Sequence, residues 1–112
     1  MIPTPASRIN IAVSPLSWAN EVLEELGKDA TADICLTGAA AAGYAGVEMS
    51  RLFPQDPSQL AALLTQHQLQ HVSGWHSGFL SERAVDAELA AVAPFATLLQ
   101  HTGAQVMVYG EC

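Results

Sequence analysis

Apolar and polar positions along this chain follow two alternating periods. Short runs rich in β-branched and aromatic residues are separated by stretches whose apolar residues recur every three or four positions. Residues 9–13 form the first short run and predict a strand. About 17 residues then pass before the next helical pattern, where a strand-to-helix loop usually needs about 2–6. Within that long loop Glu21, Glu24, Glu25 and Asp29 read as a solvated acidic face, with one helical turn ending at Gly27. Thr31 is a good N-cap for a helix running to Ala42, with Asp33 favourable to its dipole and Gly43 at its end. Gly38 weakens that helix by about 1 kcal/mol relative to Ala, so close packing is the expected reason for it.

Residues 44–49 predict a second strand. Asp56 then caps a helix whose first position is Pro57, and Leu60, Ala61, Leu63 and Leu64 form its apolar stripe. A third strand covers residues 70–73 and leads into a stretch bracketed by glycines, Val72-Ser73-Gly74-Trp75-His76-Ser77-Gly78. That stretch reads as a strand end turning into a loop that walls a pocket. Ser81 is the expected cap of a third helix through Ala84, Val85, Leu89 and Val92, which Pro94 should kink or divide. Phe95, Leu98 and Leu99 continue its apolar face, Gly103 ends it, and His101 complements its dipole. Residues 105–109 predict strand four.

The order βαβαβαβ implies an α/β fold with parallel strands and right-handed crossovers. Strand starts near positions 9, 44, 70 and 105 repeat every ~32 residues, as do the units of a (β/α)8 barrel of ~250 residues. Residues 1–112 are therefore expected to form one partial TIM-barrel domain, the amino-terminal half of the barrel. Sites in such folds lie at the carboxyl ends of the strands. Those ends carry Ser17 and Trp18, Glu48, Trp75 and His76, and Glu111. Glu48 stands out, because a carboxylate inside an apolar strand is costly unless paired or used. His67 and His71 are four apart but fall on different elements, so a helical metal pair is not expected.

Half of the 112 residues are hydrophobic and 13% are charged, a composition that buries a core and excludes disorder. The formal net charge of −7 argues against nucleic acid or an anionic membrane surface as partner. No apolar run reaches the ~20 residues that span a bilayer, and residues 1–8 lack the apolar segment of a secretion signal. Cys35 and Cys112 make no disulfide framework, and Cys35 reads as a small buried residue in a reducing cytoplasm. An open half barrel leaves two sheet edges unpaired, so self-association is expected.

Several segments taken together resemble one family. Ser14-Pro15-Leu16-Ser17-Trp18-Ala19-Asn20 with Glu25-Leu26-Gly27, Gly43-Tyr44-Ala45-Gly46-Val47-Glu48, Phe53-Pro54-Gln55-Asp56-Pro57 and the glycine-bracketed 72–78 stretch are similar to the amino-terminal part of inosose dehydratases. These are 2-keto-myo-inositol dehydratases of inositol catabolism, in the xylose-isomerase-like TIM-barrel superfamily. The resemblance runs through essentially the whole chain. It departs at His76, where the family usually has Tyr or Phe, and at Arg51 and Leu52, where it tends to have Gly-Lys. It implies a lyase that removes the proton alpha to a ring ketone and expels a beta hydroxyl as water. It also implies Mn²⁺ or Co²⁺, held by carboxylates and a His on later barrel strands outside this chain. On that reading Trp18, Asn20, Glu48, Trp75 and His76 line the polyol or keto-inositol pocket and Glu111 is the catalytic candidate, while the isolated chain is expected to be inactive. A sugar-ketone isomerase or epimerase on the same barrel, and a non-catalytic assembly module, are the alternatives.

Overall fold

The structure, a computed structural model, describes residues 9–112. The lead of residues 1–8, in which no secretion signal is expected, lies outside the described residues. The elements in order are β1 (Ala12–Val13), α1 (Ala32–Ala41), β2 (Gly46–Glu48), α2 (Pro57–Gln66), β3 (Gln70–Gly78), α3 (Val85–Thr102) and β4 (Val106–Glu111), with a 3₁₀ turn at Pro15–Ser17 after β1. The strands form one all-parallel sheet in the order β1-β2-β3-β4. A sequential parallel order is that of a barrel, whereas a doubly wound sheet reverses direction at a switch point. The expected half of a (β/α)8 barrel is what the chain forms.

Local capping works at Thr31 and at Asp56, where the sequence places it. The Thr31 hydroxyl accepts from the Ile34 N–H at 3.1 Å, and the Asp56 carboxylate accepts from the Gln59 N–H at 2.9 Å, ahead of Pro57 in the first turn. Helices and sheet meet in one apolar cluster. Cys35, Leu36 and Ala39 of α1, Val47 of β2, Leu60 and Leu64 of α2 and Leu98 of α3 are buried there. Burial pushes the Cys35 thiol up to about 11, so it packs as a neutral small hydrophobe.

Two expectations are corrected and a third is narrowed. First, β3 does not turn into a loop at residue 73 but continues to Gly78, paired with β4 from Ser73↔Val106 to Gly78↔Glu111. Its glycines are places of close approach. A Cβ on Gly74 would lie 2.4 Å from Cζ of Phe95, and one on Gly78 would overlap the Tyr109 ring. Second, Ser81 caps nothing: α3 starts at Val85 after Ala84, with no side-chain cap. Third, of the kink or division expected at Pro94, division does not occur, and α3 runs on through it.

β3 also carries a bulge. Val47 pairs with His71 but Glu48 pairs with Ser73, so two residues of β3 oppose one of β2. Before the bulge His71 is buried beneath α3, its Nδ1 lying 2.5 Å from Oγ1 of Thr102. Beyond it Gly74 and His76 face Phe95 of α3. Ser73 turns instead to Glu48. The bulge thereby decides which residues of the glycine-bracketed stretch meet the helices and which meet the open face.

Candidate functional site

A cleft of about 700 Å³ opens at the carboxyl end of the sheet, between the loops after β1 and β2 and the end of β3. Three of the expected residues line it: Asn20, Glu48 and Trp75. Arg51, Gln55 and Ser77 join them. Glu48, at the end of β2, is half-buried, and its carboxylate accepts from the Ser73 hydroxyl at 3.1 Å. That bond orients one carboxylate oxygen and leaves further lone pairs to the cleft.

The long loop after β1 is fastened over the cleft by local and distant bonds. Asn20 Oδ1 accepts from the N–H groups of Val22 at 2.8 Å and Leu23 at 2.7 Å. Arg51 Nε donates to the Asn20 carbonyl at 3.1 Å and lies 3.9 Å from the carboxylates of both Glu21 and Glu24. The acidic run is therefore more than a solvated face, since Glu21 and Glu24 meet the one cation on the facing loop after β2. The substitution at Arg51 that sets this chain apart by sequence has a structural use.

Trp18, His76 and Glu111 are placed elsewhere. The Trp18 indole leans on α1 at Gly38, where a Cβ would sit 2.9 Å from its Cζ2. This explains the helix-interior glycine and removes Trp18 from the cleft lining. His76 points to the helix side of the sheet, stacked near Phe95 and Tyr109, with Nε2 at 3.7 Å from Glu88. Its ring belongs to a smaller hollow with Pro94 and Leu98 of α3. Glu111 anchors the loop after β3: its carboxylate accepts from the Leu80 N–H at 3.0 Å, the Ser81 N–H at 2.9 Å and the Ser81 hydroxyl at 2.7 Å. These bonds, the Ser81 N–H foremost, hold its carboxyl below the usual range. Glu111 is not on the cleft, and Ser81 is committed to it, which is why Ser81 is unavailable as a cap.

Glu88, which the sequence reading passed over, gathers the helix-side polar groups. It is buried and accepts from the Tyr109 hydroxyl at 3.0 Å, the Phe79 N–H at 3.3 Å and Arg83 Nε. Burial pushes its carboxyl up, and these donors with the Arg83 charge outweigh that and hold it low. Burial and the Glu88 carboxylate in turn push Tyr109 up to about 12. No single sequence signal marks Glu88, because its partners lie on β3, on the loop after it and on β4. Ser73 and Ser77 were missed for a simpler reason: they alternate with Trp75 at strand period, which is visible only once 72–78 is read as a strand.

The residues present do not fit the metal that the family resemblance implies. Among the described residues no three His, Cys, Asp or Glu side chains come together to hold one ion. Among them, too, no helix is long and apolar enough to cross a membrane.

No family model matches the chain. Curated proteins do. The chain is 41% identical over 103 residues to the rhizopine catabolism protein MocC of Rhizobium meliloti, covering 92% of this chain and 32% of that protein. It is 32% identical over 103 residues to the inosose dehydratase of Lacticaseibacillus casei, covering 92% and 35%. With the inosose dehydratase of Geobacillus thermodenitrificans it shares 29% over 105 residues, covering 94% and 35%. The chain resembles part of the inosose dehydratases. It spans about a third of the length of these relatives, in keeping with their amino-terminal part.

Proposed function

We propose that this chain supplies one wall of a keto-inositol pocket in a carbon–oxygen lyase that eliminates water from 2-keto-myo-inositol. The observation that carries the reading is the cleft at the carboxyl ends of β1 to β3, in a sequence aligned over 92% of its length with inosose dehydratases. Dehydration beside a ketone needs a group to take the α proton and groups to hold the ring hydroxyls. Glu48, oriented by Ser73 and open to the cleft, suits the hydroxyls or the proton. Arg51, Gln55 and Ser77 add polar contacts around it. Glu111 acts on this site only through the loop that it anchors. The Mn²⁺ or Co²⁺ of the resemblance needs a donor set that the described residues do not assemble, and its ligands would come from later barrel strands outside this chain. On the same reading the isolated chain is inactive, the surroundings are a reducing cytoplasm that suits two free cysteines, and copies associate through the edges of β1 and β4.

A chimera tests the reading. This chain replaces the matching third of the L. casei inosose dehydratase, and product analysis follows keto-inositol and, in parallel, ketohexoses. Loss of water from keto-inositol is the expected result. A folded chimera that leaves keto-inositol intact and interconverts ketohexoses instead would replace the lyase with an isomerase. Light scattering on the dilute chain tests association, and a stable monomer would sink it.

A further inference from the structure

Trp75 is unusual in being both exposed and fixed. More than half of its surface, 56%, is open. An exposed aromatic with no partner would sample several rotamers. Here the indole N–H donates to Ser77 Oγ at 3.0 Å, two residues along the same strand face. The far edge of the ring lies across Gly110 of β4, where a Cβ would come within 2.0 Å of Cζ2 and 2.3 Å of Cη2. Gly110 pairs with Ser77 in the sheet register. The hydrogen bond and the glycine notch therefore hold the ring from two strands at once.

The ring so held lines the same cleft as Glu48. One wall is thus a flat π surface, and beside it stands a carboxylate already oriented by Ser73. The two surfaces ask for different parts of one ligand. A π face carries partial negative charge and attracts C–H bonds polarised by neighbouring oxygens. A carboxylate accepts from hydroxyls, and such charge-assisted bonds are the stronger kind. A cyclohexane polyol with equatorial hydroxyls meets both demands, because its C–H bonds lie axially on the two faces and its hydroxyls form a girdle around the edge. An open-chain polyol of the same composition has no continuous C–H face and must be ordered on binding, which costs conformational entropy.

We infer that Trp75 is a stacking platform that selects ring polyols with equatorial hydroxyls, and that Ser77 and Gly110 are the positioning residues that hold it. The inference rests on the proposal that this cleft takes a keto-inositol and adds the residue that reads the ring's C–H face. Its test needs no turnover. The chain has two tryptophans, so two indole N–H resonances report on it, and Trp18, packed on α1, is the internal control. The ¹⁵N-labelled chain is titrated with scyllo-inositol and with glucitol at millimolar concentrations. The Trp75 resonance is expected to move saturably with scyllo-inositol, about tenfold more weakly with glucitol, and the Trp18 resonance to stay. Gly110→Ala should shift the free Trp75 resonance and weaken the scyllo-inositol response several-fold. Should that variant unfold, as a moving Trp18 resonance would reveal, Ser77→Ala carries the same expectation without a steric clash. Equal responses to the two polyols, or none, overturn the platform. So does an unaltered response in Ser77→Ala. A platform that binds scyllo-inositol beside a chimera that does not dehydrate keto-inositol refutes the lyase and keeps the inference. A working chimera whose KM is unchanged by Trp75→Ala refutes the inference and keeps the lyase.

Discussion

The two faces of the sheet use the same strands for opposite purposes. On the helix side the buried carboxylate and one imidazole nitrogen are spent on neighbours, while Nε2 of His71 and of His76 is buried with no hydrogen-bond partner among the described residues. Glu88 is taken by Tyr109, Arg83 and the Phe79 N–H, and His71 by Thr102. On the open side the polar groups keep valences in reserve: the Ser73 hydroxyl is the one protein donor to the Glu48 carboxylate among the described residues. Successive residues of β3 alternate between these duties, His76 inward against α3 and Trp75 and Ser77 outward to the cleft. Burial sets the rule. A polar group taken from water is costly unless paired, whereas one facing an open cleft can wait for a ligand.

The largest test contrasts the cores of the two faces. Leu36 and Leu60 are fully buried among α1, α2 and the sheet. Leu36→Ala or Leu60→Ala should each cost about 2–5 kcal/mol in urea unfolding, through lost transfer energy and a residual cavity. A domain stable by about 5–15 kcal/mol feels that heavily. Trp75→Ala removes a larger side chain that is already mostly wet, and its cost should be well below either leucine. A Trp75→Ala loss equal to that of Leu36→Ala would mean that the open face is a core.

Next come the buried polar groups. Glu88→Gln removes the charge that Arg83 and Tyr109 meet and should lower the melting temperature by several degrees, clearly more than Glu24→Gln, which touches only Arg51 at the surface. Acid should reveal the same asymmetry without mutation. His71 is held below its ordinary value of 6.5 by burial, so the unfolded chain takes up that proton first and stability begins to fall as pH drops below about 6.5. Glu88 and Glu111 are held below 4.5, so their contribution is complete above that value and is lost as pH falls through their lower folded values. Melting temperature against pH should therefore decline in two stages, and His71→Asn should remove the upper one. A flat profile between pH 7 and 5 would show that His71 is not held neutral.

The parts legible from sequence are those whose causes are local. Thr31, Asp56 and Pro57 act on N–H groups within their own turn, and the strand-to-strand repeat follows from chain connectivity. Glu48 was legible because a carboxylate in an apolar strand is itself an anomaly. What was not legible depends on residues far along the chain. Residues 72–78 stay extended because β4 pairs with them, and β4 begins at Val106. The two tryptophans follow the ends of strands expected from sequence in the same way, yet Gly38 draws Trp18 onto a helix while Gly110 receives the edge of Trp75. Ser81 has the residue type of a cap, but Glu111 claims it across 30 positions. The family resemblance supplied the order of the segments and not the face to which each residue turns.

The smallest expected change in stability is also the most informative about the open face. Glu48→Gln keeps an acceptor for the Ser73 hydroxyl and keeps the side-chain volume. Its carboxylate has no buried cation to satisfy, so the unfolding midpoint should stay within about 0.5 kcal/mol of the parent. Ligand binding should not be spared. A hydrogen bond to a charged group contributes about 1.5–3 kcal/mol against about 0.5–1.5 for a neutral one, so the chimera carrying Glu48→Gln should lose roughly tenfold in KM for keto-inositol. Ser73→Ala should fall between the two, since it frees the carboxylate without discharging it. If Glu48→Gln instead destabilises the fold as much as Glu88→Gln and leaves KM untouched, then Glu48 is a structural carboxylate and the two faces do not differ in kind.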